Sequence, residues 1–182
     1  MKLLPDTQKI IEKFIQTRVK EAGVTGVVIG LSGGVDSATT LALAVSTLGS
    51  ENVTGLIMPF IQTESVELAS GHAESLKVEI KELNISSVVE SFKSSTTSFS
   101  SKASEGNLHS RVRMTFLYGE AFHSGSLVMG TSNKSELLVG YYTKWGDGAS
   151  DFLPVGDLYK SQVYLLAEDL GIPKRILDRK PT

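Results

Sequence analysis

The sequence contains no cysteine. Disulfide bonds, zinc–thiolate sites and a cysteine nucleophile are therefore excluded within this chain. Long apolar runs are also missing, since none reaches the roughly 18 residues that a membrane-spanning helix needs. No signal peptide opens the sequence, so we expect a cytoplasmic protein without a membrane partner.

An excess of charge of either sign is absent as well. The 18 basic and 20 acidic residues leave a net charge of −2. Nucleic-acid-binding proteins usually carry a basic footprint, so we expect no nucleic-acid partner. The length of 182 residues and the apolar fraction of 41% are ordinary for a globular domain. We therefore expect a single domain over residues 1–182.

Apolar runs alternate with amphipathic stretches along the chain. The apolar runs predict strands over 26–32, 53–58, 78–83 and 126–130. The amphipathic stretches predict helices over 5–22, 38–48, 64–77, 86–92, 106–122, 133–139 and 159–170. Residues 94–104 are polar and of low complexity, which predicts a surface loop. This alternation indicates an α/β fold with an open parallel sheet and helices on both faces. The apolar face of helix 5–22 suits either the core or a subunit interface.

A glycine loop follows the first predicted strand and precedes a predicted helix. Residues 32–37 of this loop are Ser-Gly-Gly-Val-Asp-Ser. The order strand, loop, helix brings free backbone N–H groups and the positive end of a helix dipole to one place, which favours phosphate binding. The loop lacks the lysine of the Walker sequence, so a cradle built around a terminal phosphate is not expected.

Two acidic residues follow predicted strands and are candidate metal ligands. Asp36 lies in the glycine loop, and Glu136 follows the last predicted strand. Since the carboxyl ends of parallel strands meet at one edge of a sheet, we expect the glycine loop and residues 130–133 to share a crevice. Two carboxylates that converge on phosphate oxygens suit Mg²⁺. The spacing equally allows Asp36 to stabilise a helix N-terminus and Glu136 to form a capping box with Asn133 or Ser132.

Residues 140–154 form a long irregular segment that contains several charged and aromatic side chains. The segment fits ordinary turn chemistry, but loops of this length are uncommon in compact domains unless they are functional. Lys144 and Trp145 have the charge and the ring to hold an anionic aromatic ligand. Arg111 and Arg113 lie two residues apart on a predicted helix and do not share a face. Either both are solvated, or one binds substrate while the other supports the structure.

The glycine loop resembles the pyrophosphate loop of the N-type ATP pyrophosphatases. Residues 130–136, Gly-Thr-Ser-Asn-Lys-Ser-Glu, and residues 140–151 are similar to the signature of the ammonia-dependent NAD synthetase family. Shorter matches follow family order at 106–107, 111–114, 158–160 and 180–182. The resemblance covers nearly the whole chain. It implies a Rossmann-like fold of the adenine nucleotide alpha hydrolase type. Since family members usually continue with a C-terminal segment, the resemblance also implies that this segment is missing after Thr182.

The resemblance also implies an activity. The family uses ATP and Mg²⁺ to adenylate the nicotinate carboxylate of deamido-NAD⁺, and ammonia then displaces AMP to give NAD⁺. No protein nucleophile is needed, because the substrate carboxylate attacks ATP and releases pyrophosphate. The family is typically homodimeric. Two alternatives remain: another ATP pyrophosphatase ligase of the GMP synthetase type, and a non-catalytic nucleotide-binding module.

Roles for individual residues follow from the same resemblance. Residues that match the family's metal ligands are Asp36 and Glu136. Residues that match its deamido-NAD⁺ contacts are Arg111, Lys144 and Asp151. Residues that match its ATP contacts are Gly30, Leu31, Ser32, Gly33, Gly34, Val35, Asp36, Ser37, Thr131, Lys160 and Thr182. Among these, Lys160, Ser32 and Ser37 are expected to stabilise the transition state. The adenine contacts, sought in residues 58–63, stay unassigned.

Overall fold

Four parallel strands form one sheet in the computed structural model, which describes residues 2–179. The strands are β1 (Gly26–Gly30), β2 (Val53–Ile57), β3 (Glu79–Glu82) and β4 (Ser126–Val128). Their order is β3-β2-β1-β4, and each neighbouring pair is parallel. The predicted open parallel sheet is confirmed, although every strand is shorter than its apolar run.

Helices connect the strands and cover both faces of the sheet. They are α1 (Thr7–Glu21), α2 (Val35–Leu48), α3 (Glu64–Ser75), α4 (Ser86–Ser95), α5 (Lys102–Ser124), α6 (Lys134–Val139), α7 (Lys160–Asp169) and α8 (Lys174–Leu177). Within residues 2–179, none of these helices combines the length and apolarity needed to cross a membrane.

Two apolar clusters lie on opposite faces of the sheet because successive strand side chains alternate. Val27 and Ile29 of β1 pack with residues of α1, α2, α3 and α7. Val28, between them, packs with residues of α4 and α5. The sheet is therefore buried on both faces, as apolar strands of a parallel sheet require.

Helix α1 divides its apolar residues between the core and the surface. Ile11, Ile15 and Val19 are buried in the cluster that includes α2. Ile10 is 62% exposed, and Phe14 is 38% exposed with its ring edge against Phe152. Core packing thus accounts for one stripe of the predicted apolar face, and the adjacent stripe faces solvent.

The predicted surface loop over 94–104 is mostly exposed and separates α4 from α5, but it is more regular than predicted. A short 3₁₀ helix occupies Thr97–Phe99, and α5 begins at Lys102. Ser101 starts α5 because its Oγ accepts a hydrogen bond from the Ser104 N–H, and Ser104 Oγ accepts from the Ser101 N–H, each at 3.2 Å. This capping box consists of two serines within a serine-rich segment, so the sequence did not distinguish the start of α5 from a polar loop.

The glycine loop between β1 and α2 touches the start of α3. Gly33 has a φ of +72°, and a Cβ placed on it would lie 2.3 Å from the backbone oxygen of Ser65. Glycine is therefore required at this position both for its left-handed backbone and for the close approach of another main chain.

We expect Gly33→Ala to destabilise the protein more than Gly23→Ala. Gly23 has a φ of +70°, but a Cβ placed on it would meet no atom within 4 Å, so it isolates the penalty of left-handed backbone. That penalty is about 1–2 kcal/mol, and the collision with Ser65 adds to it only in Gly33→Ala. Urea unfolding of the two variants measures the difference, and equal losses would contradict this account.

Candidate active site

Two cavities open at the carboxyl ends of β1, β2 and β4. The sheet-end cavity, of about 540 Å³, is lined by Gly30, Leu31, Met58 and Phe60 among others. The loop cavity, of about 560 Å³, lies between the glycine loop, α6 and α7. Both are lined by Ser32, Thr131, Asp147 and Arg179. The predicted crevice shared by the glycine loop and residues 130–133 is confirmed.

The two hydroxyls of the glycine loop have different surroundings. Ser37 is buried, and its Oγ donates to the backbone oxygen of Gly34 at 3.0 Å. Ser32 is exposed, and its Oγ accepts a hydrogen bond from the Gly34 N–H at 3.3 Å. The two Oγ atoms are 3.2 Å apart. Ser37 therefore braces the loop, while Ser32 faces both cavities beside the N-terminus of α2, where an anion is stabilised.

Asp36 and Glu136 converge on the loop cavity, where Lys160 contacts both. The Lys160 ammonium donates to Asp36 Oδ2, and its Nζ lies 3.9 Å from Glu136 Oε1. The other Asp36 oxygen, Oδ1, accepts a hydrogen bond from Asn133 Nδ2 at 3.0 Å. Lys160 is the first residue of α7, so three elements supply this cluster.

Glu136 forms the capping box that its spacing allowed. Its Oε2 accepts from the Asn133 N–H at 3.2 Å, while Asn133 Oδ1 accepts from the Glu136 N–H at 3.1 Å. Its Oε1 still faces Lys160, so the capping role and a ligand role are compatible. Partial burial raises the pKa of Glu136, and the nearby charge of Asp36 raises this pKa further.

The carboxylate pair fits a divalent cation that binds together with a phosphate group. Within residues 2–179, no group of three or more His, Asp and Glu side chains is placed to hold a metal. Mg²⁺ is commonly bound by one or two carboxylates, with water and substrate phosphates as the other ligands. Asp36 and Glu136, beside the N–H groups at the start of α2, provide this kind of donor set.

Arg111 and Lys144 are brought together by the loop that follows α6. Arg111 Nε donates to the backbone oxygen of Lys144 at 3.1 Å, and Lys144 Nζ lies 5.5 Å from the centre of the Trp145 ring. Both basic side chains are exposed, and Trp145 is 71% exposed. The exposed cations and ring form a surface suited to an anionic aromatic ligand.

Asp151 is anchored to the end of the sheet. Its Oδ2 accepts from the Val128 N–H at 2.7 Å, and its Oδ1 accepts from the Tyr118 hydroxyl at 3.1 Å. Burial of the hydroxyl and the charge of Asp151 raise the pKa of Tyr118 to about 12. Asp151 therefore has a structural role at β4, in addition to any contact with a ligand.

Asp147 fixes the long loop against α5. Its Oδ1 accepts from Ser110 Oγ at 2.6 Å and from the Thr143 N–H at 3.0 Å. Thr143 Oγ1 donates to Asn107 Oδ1 at 2.8 Å. Asp147 also lines both cavities, although the sequence pattern assigned it no role. Asp147 lies between two glycines, a pattern typical of ordinary turns, so the sequence did not indicate its contacts with α5.

The sheet-end cavity contains side chains that the sequence pattern left unassigned. Arg113, more buried than Arg111, donates through Nε to the backbone oxygen of Met58 at 2.9 Å. Burial lowers the pKa of the Arg113 guanidinium. Phe60 stacks on His109 with ring centres 4.5 Å apart. The sequence feature that could have indicated Met58 and Phe60 is their position directly after the carboxyl end of β2, where ligands bind in open parallel sheets. Thr182, a predicted ATP contact, lies outside the described residues.

Comparison with known proteins identifies a family. The family model described as NAD synthase matches residues 7–182. A curated relative, the NH(3)-dependent NAD(+) synthetase of Thermococcus kodakarensis, is 49% identical over 172 residues. The match covers 94% of this chain and 68% of the relative.

Solved structures share the fold. The NH3-dependent NAD synthetase from Campylobacter jejuni superposes with a TM-score of 0.92 at 38% identity, covering 97% of this chain and 78% of that chain. A structure of NMN synthetase from Francisella tularensis has the same TM-score and identity, covering 97% of this chain and 74% of that chain. The predicted Rossmann-like fold is confirmed.

We expect Glu136→Gln to be at least as stable as the unchanged protein at pH 7. Glutamine can keep the capping box, while the negative charge beside Asp36 is removed. Folding raises the pKa of Glu136, so its ionised form destabilises the folded state once the pH exceeds that folded pKa. The advantage of Glu136→Gln should therefore vanish as the pH falls to about 4, near the unfolded pKa. Urea unfolding at both pH values measures this. A Gln variant that is less stable at pH 7 would contradict it.

Proposed function

Because the chain belongs to the NAD synthase family, we propose that it catalyses the ATP-dependent amidation of deamido-NAD⁺ with ammonia to give NAD⁺. One observation carries the assignment. The glycine loop lines the same cavity as Asp36, Glu136 and Lys160 at the edge of the sheet. This combination suits an ATP whose α–β phosphate linkage is broken.

The reaction proceeds in two displacements. An oxygen of the nicotinate carboxylate attacks the α-phosphorus of ATP, which forms the acyl adenylate and releases pyrophosphate. Ammonia then attacks the carbonyl carbon, loses a proton, and displaces AMP. The attacking groups belong to the substrates, so the protein acts by positioning them and by stabilising charge.

ATP is proposed to span the two cavities. The sheet-end cavity, with Arg113 and Phe60 in its wall, would take the adenosine, and residues 30–37 would hold the phosphates. The backbone N–H groups at the start of α2 and the exposed Ser32 hydroxyl support this orientation. Thr131, which lines both cavities, and Lys160 would complete the phosphate contacts. Thr182 is kept as a further proposed contact.

Asp36 and Glu136 are proposed to hold Mg²⁺. When bound, Mg²⁺ would offset negative charge on the phosphate oxygens. Lys160, which now neutralises Asp36, would then be available to the departing pyrophosphate. Ser32 and the braced Ser37 would keep the loop amides directed at the same group.

Deamido-NAD⁺ is proposed to bind beside the long loop. Arg111 and Lys144 would contact its phosphates, and Asp151 is the third proposed contact. The exposed Trp145 ring offers a stacking surface next to the Lys144 ammonium.

The remaining properties follow from the sequence and the resemblance. We keep as proposals a single catalytic domain, a homodimer and a cytoplasmic location without nucleic-acid or membrane partners. The chain has no cysteine, and the family's glutaminase domains depend on one. Free ammonia is therefore the proposed nitrogen donor for this chain on its own.

A second candidate substrate follows from one comparison. The structure from Francisella tularensis carries the description NMN synthetase, and it is as similar to this chain as the NAD synthetase from Campylobacter jejuni. The curated relative from Thermococcus kodakarensis, at the higher identity of 49%, is an NAD synthetase and favours deamido-NAD⁺. No comparison favours a GMP synthetase.

We expect the purified protein to form NAD⁺, AMP and pyrophosphate from deamido-NAD⁺, ATP, Mg²⁺ and ammonium. Deamidated NMN, tested in parallel, should react far more slowly. Chromatography of the nucleotides follows both substrates. Faster turnover of deamidated NMN would reassign the substrate, and ATP binding without turnover of either acid would indicate a non-catalytic module.

We expect Lys160→Met to lower kcat about 100-fold or more, because it removes a charge proposed to stabilise the departing pyrophosphate. Lys81→Met is the matched control. Lys81 lies on β3, pairs with Glu120 of α5 at 2.8 Å, and lines neither of the two cavities. Steady-state rates for the two folded variants make the comparison. Equal rates would remove Lys160 from the proposed chemistry.

A further inference from the structure

We infer that Asn133 is a positioning residue that holds Asp36 and Glu136 together as a cation site. This inference rests on the proposed function, which assigns both carboxylates to Mg²⁺. Asn133 itself was expected only to begin a helix. It is fully buried, and its side chain lies between α2 and α6.

Asn133 makes one hydrogen bond to each carboxylate. Its Nδ2 donates to Asp36 Oδ1 at 3.0 Å, across 97 positions of the chain. Its backbone N–H donates to Glu136 Oε2 at 3.2 Å. Each contact leaves the second oxygen of the carboxylate, Asp36 Oδ2 or Glu136 Oε1, directed at Lys160. The oxygens facing Lys160 are therefore the ones that a cation would take over from its ammonium.

The choice of asparagine is explained by two demands on one side chain. Its Oδ1 accepts from the Glu136 N–H at 3.1 Å and caps α6. That interaction also fixes the orientation of the amide, so Nδ2 must face Asp36. Serine, threonine and aspartate cap helices as well. None of them carries an acceptor on one atom and an N–H donor on another, as the two contacts of Asn133 require. Capping alone therefore does not explain asparagine.

Asn133 and Lys160 differ in what they do when a cation arrives. Lys160 is partly exposed and contacts the same oxygens that a metal would use. Its ammonium must therefore withdraw from them. Asn133 uses the opposite oxygens and is buried, so its contacts persist in both states. It keeps two like charges at a fixed separation, as outer partners of metal ligands commonly do.

The experiment compares Asn133→Ser with Asn133→Ala. Serine keeps a capping oxygen but loses the amide Nδ2 that reaches Asp36, whereas alanine loses both atoms. The probe is Mn²⁺ alone, with free Mn²⁺ measured from its EPR signal, and thermal unfolding is recorded for each protein. Both variants should bind Mn²⁺ about 10–100-fold more weakly. Asn133→Ala should melt lower than Asn133→Ser, because only alanine removes the cap.

Ser101→Ala is the matched control. It removes the cap of α5, which has the same kind of capping box away from the cluster. It should lower the melting temperature and leave Mn²⁺ binding unchanged. Asn133→Ser that binds Mn²⁺ as tightly as the unchanged protein would overturn the inference.

Two further variants separate this inference from the proposed metal site. Asp36→Asn and Glu136→Gln should each weaken Mn²⁺ binding. If they do and Asn133→Ser does not, only the role of Asn133 is overturned. If neither weakens binding, the metal site and the role of Asn133 are both overturned, while the amidation assay still decides the activity.

Discussion

Parallel pairing of β1 with β4 is the constraint on which the site depends. Val28 of β1 lies opposite Val128 of β4, so the segments that follow the two strands leave the sheet at the same edge. One segment is the glycine loop and the other contains Asn133. The hydrogen bond between Asn133 and Asp36 extends this pairing beyond the strands. A change in the register of β1 and β4 would move Asp36 relative to Asn133 and Glu136.

The surroundings at this edge disfavour the ionised form of Glu136 in the folded protein. Partial burial raises the pKa of Glu136, and the negative charge of Asp36 raises this pKa further. Lys160 offsets part of that repulsion, and the capping hydrogen bonds offset another part. A site that is destabilised by its own charges is suited to bind a cation, because binding removes the repulsion. The cluster therefore favours ligand binding over the stability of the free protein.

Local patterns predicted most of the fold but only some of the contacts that build the candidate site. Apolar runs located the four strands of the sheet, and the strand–loop–helix order placed the glycine loop and Asp36 at the crevice. The start of α5 was missed because a pair of serines formed the cap. The contact of Arg113 with Met58 joins residues 55 positions apart, and no local pattern reveals such a pairing. Asp147 was missed for the same reason, since its role appears only when the loop lies on α5.

Helix α5 links the two halves of the proposed chemistry. Its buried residues Leu117 and Val112 pack beneath the sheet, in the cluster that includes Val28. Its half-buried Ser110 and exposed Arg111 hold the long loop through Asp147 and the backbone of Lys144. The loop that we assign to deamido-NAD⁺ is therefore fixed to the same helix that packs against β1 and β4. In-line attack on ATP depends on placing a carboxylate near the α-phosphorus. The contacts of α5 with the sheet and with the long loop would therefore set the distance between the two proposed substrate sites.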